Sequence, residues 1–226
     1  MESKDIQRTL RGLGLYWGKI DGKIGKRSKQ AISDFQRLNS LVVDGIAGIK
    51  TLTKLFNKPF GNRDSDDVVV KSGIFPRQKD VRDFYGKIQS NQTKITLPYR
   101  MKLAWDTEKT ITKFSCHKKV SESLQAIFKV TLDYYGIEEI KRLGLDLFGG
   151  CLNVRKMRGG SRYSMHSWGI AVDLNPVANQ LKWNDKKALF AKSDFNFFWD
   201  TVEKYGATSV GRERNFDWMH FQFARF

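Results

Sequence analysis

Histidine is almost missing from this chain: 226 residues contain three, His117, His166 and His220. Any imidazole chemistry must therefore draw on those positions. Cysteine is scarcer still, with Cys116 and Cys151 alone. Two cysteines are too few for a disulfide framework, and they read as reduced, partly buried thiols. Long apolar runs are also absent. The opening MESKDIQRTLRGLGLYWGKIDG is broken by charges and glycines and holds no signal-peptide core. Nothing approaches the roughly 20 apolar residues of a membrane helix. These absences argue against a disulfide-stapled fold and against membrane insertion. They predict a soluble product of the cytoplasm that needs another route if it acts outside. Acidic residues are in deficit, 24 against 40 Lys and Arg, for a net charge of +16. Such an excess calls for an anionic partner: nucleic acid, an anionic cell wall or a lipid headgroup surface. Charge alone does not choose among them.

What is present is enough for a packed core. Hydrophobic residues make up 40% of the chain, with 16 Phe, 7 Tyr and 6 Trp. The length suits one large domain or two small ones. Near the start, GKIDGKIG (18–25) is echoed by LVVDGIAG (41–48), so Asp21-Gly22 matches Asp44-Gly45 and Gly25 matches Gly48. Each Asp-Gly pair predicts a turn, with Asp bonding local backbone and Gly taking positive φ. Ile6, Leu10 and Leu13 before the first turn have helical spacing, as do Ala31, Ile32 and Phe35 after it and Leu52, Leu55 and Phe56 after the second. Residues 1–57 thus read as a three-helix module with two Asp-Gly loops. The stretch from IQRTLRGLGLYWGKIDG to TLTKLF resembles the peptidoglycan-binding domain found at the ends of many cell-wall hydrolases. Ser28 stands where that family usually has Thr and is expected to cap the second helix.

Residues 58–73, polar and without period, read as a linker, and residues 74–226 as a second domain. ITLPYRMKLAW (95–105) is strand-like, with Pro98 limiting it to an edge or a turn. Val120, Leu124, Ile127 and Phe128 share a helix face that Gly136 is expected to end. Phe195, Phe198, Trp199 and Val202 mark another helix ending near Gly206, while WGIAVDL and WMHFQF look like short strands. Helices and strands mixed without βαβ alternation predict an α+β fold with a mainly antiparallel sheet.

Two of the three histidines lie in SMHSWGIAVDLNP (164–176) and NFDWMHF (215–221). Neutral imidazoles are good zinc ligands, and one carboxylate completes a three-ligand catalytic site. His166 and Asp173, separated by a turn and a strand, can face one cavity, with Gly169 allowing close backbone approach. His220 supplies a third ligand from a neighbouring strand. Asp217 is then left over, as the general base that a hydrolase needs beside a metal. Positions i and i+3 of a flat strand face opposite ways, so the Asp217–His220 segment must bulge or Asp217 must lie in the preceding loop.

These segments resemble the zinc peptidase family of D-alanyl-D-alanine carboxypeptidases and phage L-alanyl-D-glutamate endopeptidases. Its pattern is Ser-x-His-x-x-Gly-x-Ala-x-Asp, then an acidic residue three before His. Ser164, His166, Gly169, Ala171, Asp173, Asp217 and His220 supply every element. The resemblance implies Zn2+ as cofactor, held by His166, Asp173 and His220, with Asp217 as catalytic base. Asp rather than Glu at 217 favours the endopeptidase branch. It also implies an upstream arginine that holds substrate carboxylate or carbonyl groups, a task suited to bidentate recognition. Among Arg155, Arg158 and Arg162, Arg155 is the first choice and Arg158 the second. Ser164 is expected to bond substrate or a group behind the metal, and Trp168 and Trp218 to pack.

Together these features predict a monomeric phage endolysin whose partner is peptidoglycan, not nucleic acid, and which reaches the wall through a separate membrane pore. Residues 1–57 hold 11 basic and 5 acidic residues, an excess of six that suits an anionic wall. The expected target is the L-alanyl-D-glutamate bond of the stem peptide. Alternatives are a D-alanyl-D-alanine carboxypeptidase or cross-link endopeptidase. From other classes come a cysteine peptidase using Cys116 or Cys151 with a histidine such as His117, and a non-enzymatic basic protein that binds wall or nucleic acid.

Overall fold

A computed structural model describes residues 3–57 and 75–226. The expected linker, 58–73, lies outside the described residues. Those residues form two compact units: the first covers 3–57 and 133–136, the second the rest.

The first unit has helices α1 (Ser3–Gly12), α2 (Lys26–Leu38) and α3 (Ile49–Asn57). Ile6, Leu10, Ala31, Ile32, Phe35 and Leu55 are buried in its core, as the spacing predicts; Tyr16 joins them, and Leu13, Leu52 and Phe56 pack against it partly buried. Each fully buried aliphatic or Phe side chain contributes roughly 1.5–3 kcal/mol. The echo between the loops proves deeper than the Asp-Gly pairs. Gln7, fully buried in α1, donates its amide to Asp21 Oδ1 (3.1 Å), the Lys23 carbonyl (2.9 Å) and Ser28 Oγ (3.1 Å), and its Oε1 accepts the Gly22 amide (2.8 Å). Gln36 in α2 repeats this on the second loop: it donates to Asp44 Oδ1 (2.7 Å), the Ile46 carbonyl (2.9 Å) and Thr51 Oγ1 (3.0 Å), and accepts the Gly45 amide (2.9 Å). Gly22 and Gly45 both take positive φ. Their loops leave backbone groups, buried at Gly45 and partly buried elsewhere, with no helix or strand partner, and one glutamine amide per loop satisfies them. Ser28 does not cap α2. Gly25 is the N-cap, and Ser28 is buried one turn in, where its hydroxyl serves Gln7 and the Lys23 carbonyl.

The second unit opens with α4 (Val81–Tyr85), the strands β1 (Gln92–Leu103) and β2 (Asp106–His117), and the long helix α5 (Ser121–Leu143). Then follow β3 (Leu147–Gly150), β4 (Ala171–Leu174), α6 (Asn196–Lys204), β5 (Thr208–Ser209), α7 (Val210–Arg214) and β6 (His220–Gln222). The six strands form one sheet in the order β2-β1-β3-β4-β6-β5, antiparallel at every junction except β1–β3. The fold is α+β with a mostly antiparallel sheet. Phe128 of α5 packs edge-on against Tyr99 of β1 and Phe114 of β2. Phe198 of α6 meets Phe221 of β6.

One local expectation needs correction. β1 is an interior strand: Pro98 is accommodated in a register break between Thr96 and Met101, where the ladder to β2 lapses and needs no amide from it. Gly136 interrupts α5 as expected: it leaves helical geometry at φ 69°, and a second helical segment follows through buried Ile140 and Leu143 to Gly144, which is left-handed at φ 68°.

The glutamine clamps give a direct test. Gln36→Ala should remove about 1–3 kcal/mol of stability, the cost of leaving buried polar groups unmet. Amide hydrogen exchange should accelerate more at Gly45 than at Gly22, which Gln7 still holds. Equal acceleration at both would contradict a local clamp.

Candidate metal centre

β4 and β6 are paired so that Asp173 lies directly opposite His220, and Val172 opposite Phe221. Alternation then separates the rows. Val172 and Phe221 enter the core, while Asp173 and His220 share the other face. On the far side of β4, Asp173 pairs with Gly150 of β3. A Cβ on neighbouring Gly149 would stand 3.0 Å from both the Asp173 Cβ and its carbonyl oxygen, so a larger residue there would press on Asp173. His166 comes from a 3-10 turn, Met165–Trp168, that ends at Gly169 with φ +67°. A side chain on Gly169 would strike Gln92 and the backbone of Cys116 and His117 at the end of β2, which confirms the close approach expected there.

These elements bring the three expected ligands together. His166 Nε2 lies 3.2 Å from His220 Nδ1 and 3.2 Å from Asp173 Oδ2, and His220 Nδ1 lies 2.8 Å from Asp173 Oδ1. The far ring nitrogens are committed. His166 Nδ1 faces the Cys151 carbonyl at 2.7 Å, so that nitrogen carries the proton. Gln222 donates its amide to the Ala224 carbonyl (2.7 Å), which turns its Oε1 toward His220 Nε2 at 3.2 Å. His220 therefore holds its proton on Nε2. Two imidazole lone pairs and a carboxylate are left converging with no donor among them. A proton reconciles one pair at a time; a metal ion reconciles all three. Ligand atoms at about 2.0–2.1 Å from tetrahedral zinc are roughly 3.3 Å apart, close to the spacing here. Two nitrogens and one oxygen also match the donor set of catalytic zinc sites, which keep a fourth position open. The residues fit the metal.

With no cation at the focus, the same crowding draws protons. Burial pushes the Asp173 carboxyl up, but His166 and His220 more than offset this and hold it well below the usual carboxylate range. Burial pushes His220 down, yet its bond to Asp173 and the charges of Asp173 and Asp217 leave it raised.

Asp217 lies in the loop before β6 at φ +57°, and its carbonyl accepts the His220 amide (3.0 Å) across a tight turn. The loop, not a bulged strand, thus brings it to the face that carries His220. Its Oδ1 is buried without a hydrogen-bond partner. Burial pushes its carboxyl up to about 6, opposed by His220, His166 and Arg155 and reinforced by Asp173. An orphaned carboxylate beside the ligands is placed to take a proton.

Arg155 is half-buried, and its backbone is tied to the histidine turn: its amide donates to Ser167 Oγ (3.1 Å), and its carbonyl accepts from Ser167 Oγ (3.0 Å) and the Ser164 amide (2.9 Å). Arg158 is exposed at the tip of a hairpin joined by a Lys156–Tyr163 bridge. Ser164 is buried and caps the histidine turn, its hydroxyl accepting the His166 amide at 3.4 Å. Trp168 and Trp218 are largely buried, as packing requires; the Trp218 ring covers Gly211 so closely that no Cβ fits there. Gln222 and the Cys151 carbonyl escaped sequence reasoning. Gln222 was legible as the position two after His220 on the same strand face, whereas no side-chain pattern marks a carbonyl.

The cysteine-peptidase alternative fails on burial. The Cys116 thiol is pushed up to about 12 and that of Cys151 also well above its usual value, both by burial, so neither is a ready thiolate. His117 is spent on structure: one ring nitrogen faces the Tyr85 carbonyl (3.0 Å) and the other accepts the Lys119 amide (3.1 Å).

Comparison with known proteins bears on both units. Residues 2–55 match the family described as peptidoglycan binding domain, and residues 158–223 match the family described as D-alanyl-D-alanine carboxypeptidase. The second match takes in all three ligands and Asp217. The chain is also 39% identical over 51 residues to N-acetylmuramoyl-L-alanine amidase CwlM of Mycobacterium tuberculosis, a match over 23% of this chain and 13% of that protein. The chain thus spans a small fraction of that relative's length. It combines an N-terminal domain of the peptidoglycan-binding family with a C-terminal domain of the D-alanyl-D-alanine carboxypeptidase family.

Proposed function

We propose that the chain is a peptidoglycan hydrolase that cuts an amide bond of the stem peptide with the help of zinc, the L-alanyl-D-glutamate bond being the favoured target. The observation that carries this reading is the convergence of three acceptor atoms with an orphaned carboxylate beside them. A zinc ion held by His166, Asp173 and His220 would supply Lewis acidity toward the scissile carbonyl and lower the pKa of a water to about 7. Asp217 would take the proton from that water and return it to the leaving amine. Arg155 would steer a substrate carboxylate or carbonyl, with Arg158 as the second candidate and Ser164 bonding substrate or a group behind the metal. The first unit would keep the enzyme on the wall. Its two loops differ in what they expose at matching positions, Lys19 and Lys23 in one and Val42 and Ile46 in the other. No helix among the described residues is long and apolar enough to cross a membrane. A lytic role for a phage, after release through a separate pore, belongs to the same proposal.

Four outcomes test it. Purified protein should hold one zinc, and His166→Ala or His220→Ala should lose it; full occupancy in either variant would sink the ligand assignment. Gln222→Leu should keep the fold and weaken zinc binding roughly 10–100-fold, since it frees the His220 ring from its orienting partner. Unchanged affinity would make Gln222 a bystander.

Asp217→Asn should retain zinc while hydrolysis falls ~10²–10⁴-fold, and the limb of the pH profile that reports the base should vanish. An active variant with normal zinc would remove Asp217 from the chemistry. Deleting residues 1–57 should spare cleavage of soluble stem peptides and reduce co-sedimentation with intact sacculi. A truncated protein that pellets as fully as the whole chain would contradict the anchoring role.

A further inference from the structure

Beside the turn that carries His166 lies a groove of about 730 Å³ that the hydrolytic chemistry leaves unused. Its floor includes Met165 and Trp168, the residues immediately before and two after His166. One wall comes from α4 and the segment following it, the other from the 156–163 hairpin. The first wall is tied to the floor: the Trp168 indole donates to the Gly86 carbonyl (2.9 Å), and the Gln89 amide donates to the Ser167 carbonyl (3.3 Å). Lys79, Arg82, Lys87 and Arg162 line the groove, and no acidic residue does. Asp80 and Asp83 belong to the same stretch of chain but are not among the lining residues. Among the described residues, none of the four cations is engaged in an ion pair. Four like charges around one concavity repel each other, a cost that an anionic ligand reverses.

We propose that this groove is a substrate subsite that binds a carboxylate-bearing segment of the peptide whose amide is cut at the metal centre. The apolar floor suits the aliphatic part of such a peptide, and the cationic rim suits its carboxylates. The groove shares the 165–168 turn with a metal ligand, so a peptide seated on Met165 and Trp168 is anchored next to His166. This rests on the reading of the chain as a stem-peptide hydrolase, yet its binding test is independent of turnover.

The test uses the full chain and two soluble stem peptides, one with free carboxylates and one with the same carboxylates amidated. Binding is read from the Trp168 indole N–H resonance, which sits on the groove floor, and hydrolysis is followed separately. The free-carboxylate peptide should shift that resonance, and its affinity should weaken as salt is raised. Lys79→Gln/Arg82→Gln/Lys87→Gln, all exposed side chains, should bind it about tenfold more weakly, raising KM with kcat little changed. Amidation should weaken binding to the wild type by a similar factor and add little in the triple variant. A control that removes three charges from the β1–β2 hairpin, Lys94→Gln/Lys109→Gln/Lys113→Gln, should leave binding as it was. Equal affinity for both peptides, an unmoved Trp168 signal, or equal losses in the control would overturn the subsite. So would a response to inorganic phosphate without one to the peptide. Carboxylate-dependent binding without hydrolysis would leave the groove standing and remove the hydrolase reading instead.

Discussion

Three acceptors pointed at one another are an unstable arrangement without a cation, and the second unit is built to impose it. His166, Asp173 and His220 come from a 3-10 turn and two strands. The Asp173–His220 pairing puts the carboxylate and one imidazole on a common face. Bare backbone at Gly149 and Gly169 lets neighbouring elements close in around them. The Cys151 carbonyl and Gln222 fix which nitrogen of each ring stays unprotonated. Remove either partner and a ring can turn or change tautomer, and the convergence is lost. A cation at their focus would offset the cost of crowding the acceptors, and it would couple folding to metal affinity at this point.

The first unit solves a related problem with neutral groups. Tight Asp-Gly loops leave partly buried backbone amides and carbonyls without partners, and a single buried glutamine answers each set. Gln7 and Gln36 lie in the matching stretches Asp-Ile-Gln-Arg and Asp-Phe-Gln-Arg, with Ser28 and Thr51 each seven residues beyond its loop aspartate. The repeat is therefore one of hydrogen-bonding function as well as of sequence. With the framework of the loops held by the clamps, their outward residues are free to diverge, and one loop exposes lysines where the other exposes Val42 and Ile46.

Much of this was legible in the sequence because scarcity sharpened it. Two of three histidines in recognisable spacing left few other ways to build an imidazole site, and the ligand set met in space as expected. Helix faces such as Ile6–Leu10 and Phe195–Phe198–Trp199 were plain because periodic burial writes itself into composition. What escaped depends on geometry that sequence encodes poorly. Pro98 suggested an edge strand or a turn, yet a register break lets an interior strand absorb it. Ser28 had the chemistry of a cap and is used one turn deeper. Whether Asp217 reached the site by a bulge or a loop was undecidable until its left-handed backbone fixed the answer. The Cys151 carbonyl leaves no mark at all, because any residue could supply it.

Whether His166, Asp173 and His220, and no thiolate, hold a metal is read from X-ray absorption at the zinc edge of the metal-loaded full chain. The spectrum should show a light-atom shell of two imidazoles and a carboxylate at about 2.0–2.1 Å, completed by a further oxygen, with no sulfur. A sulfur scatterer at about 2.3 Å, or a spectrum without imidazole features, would contradict it.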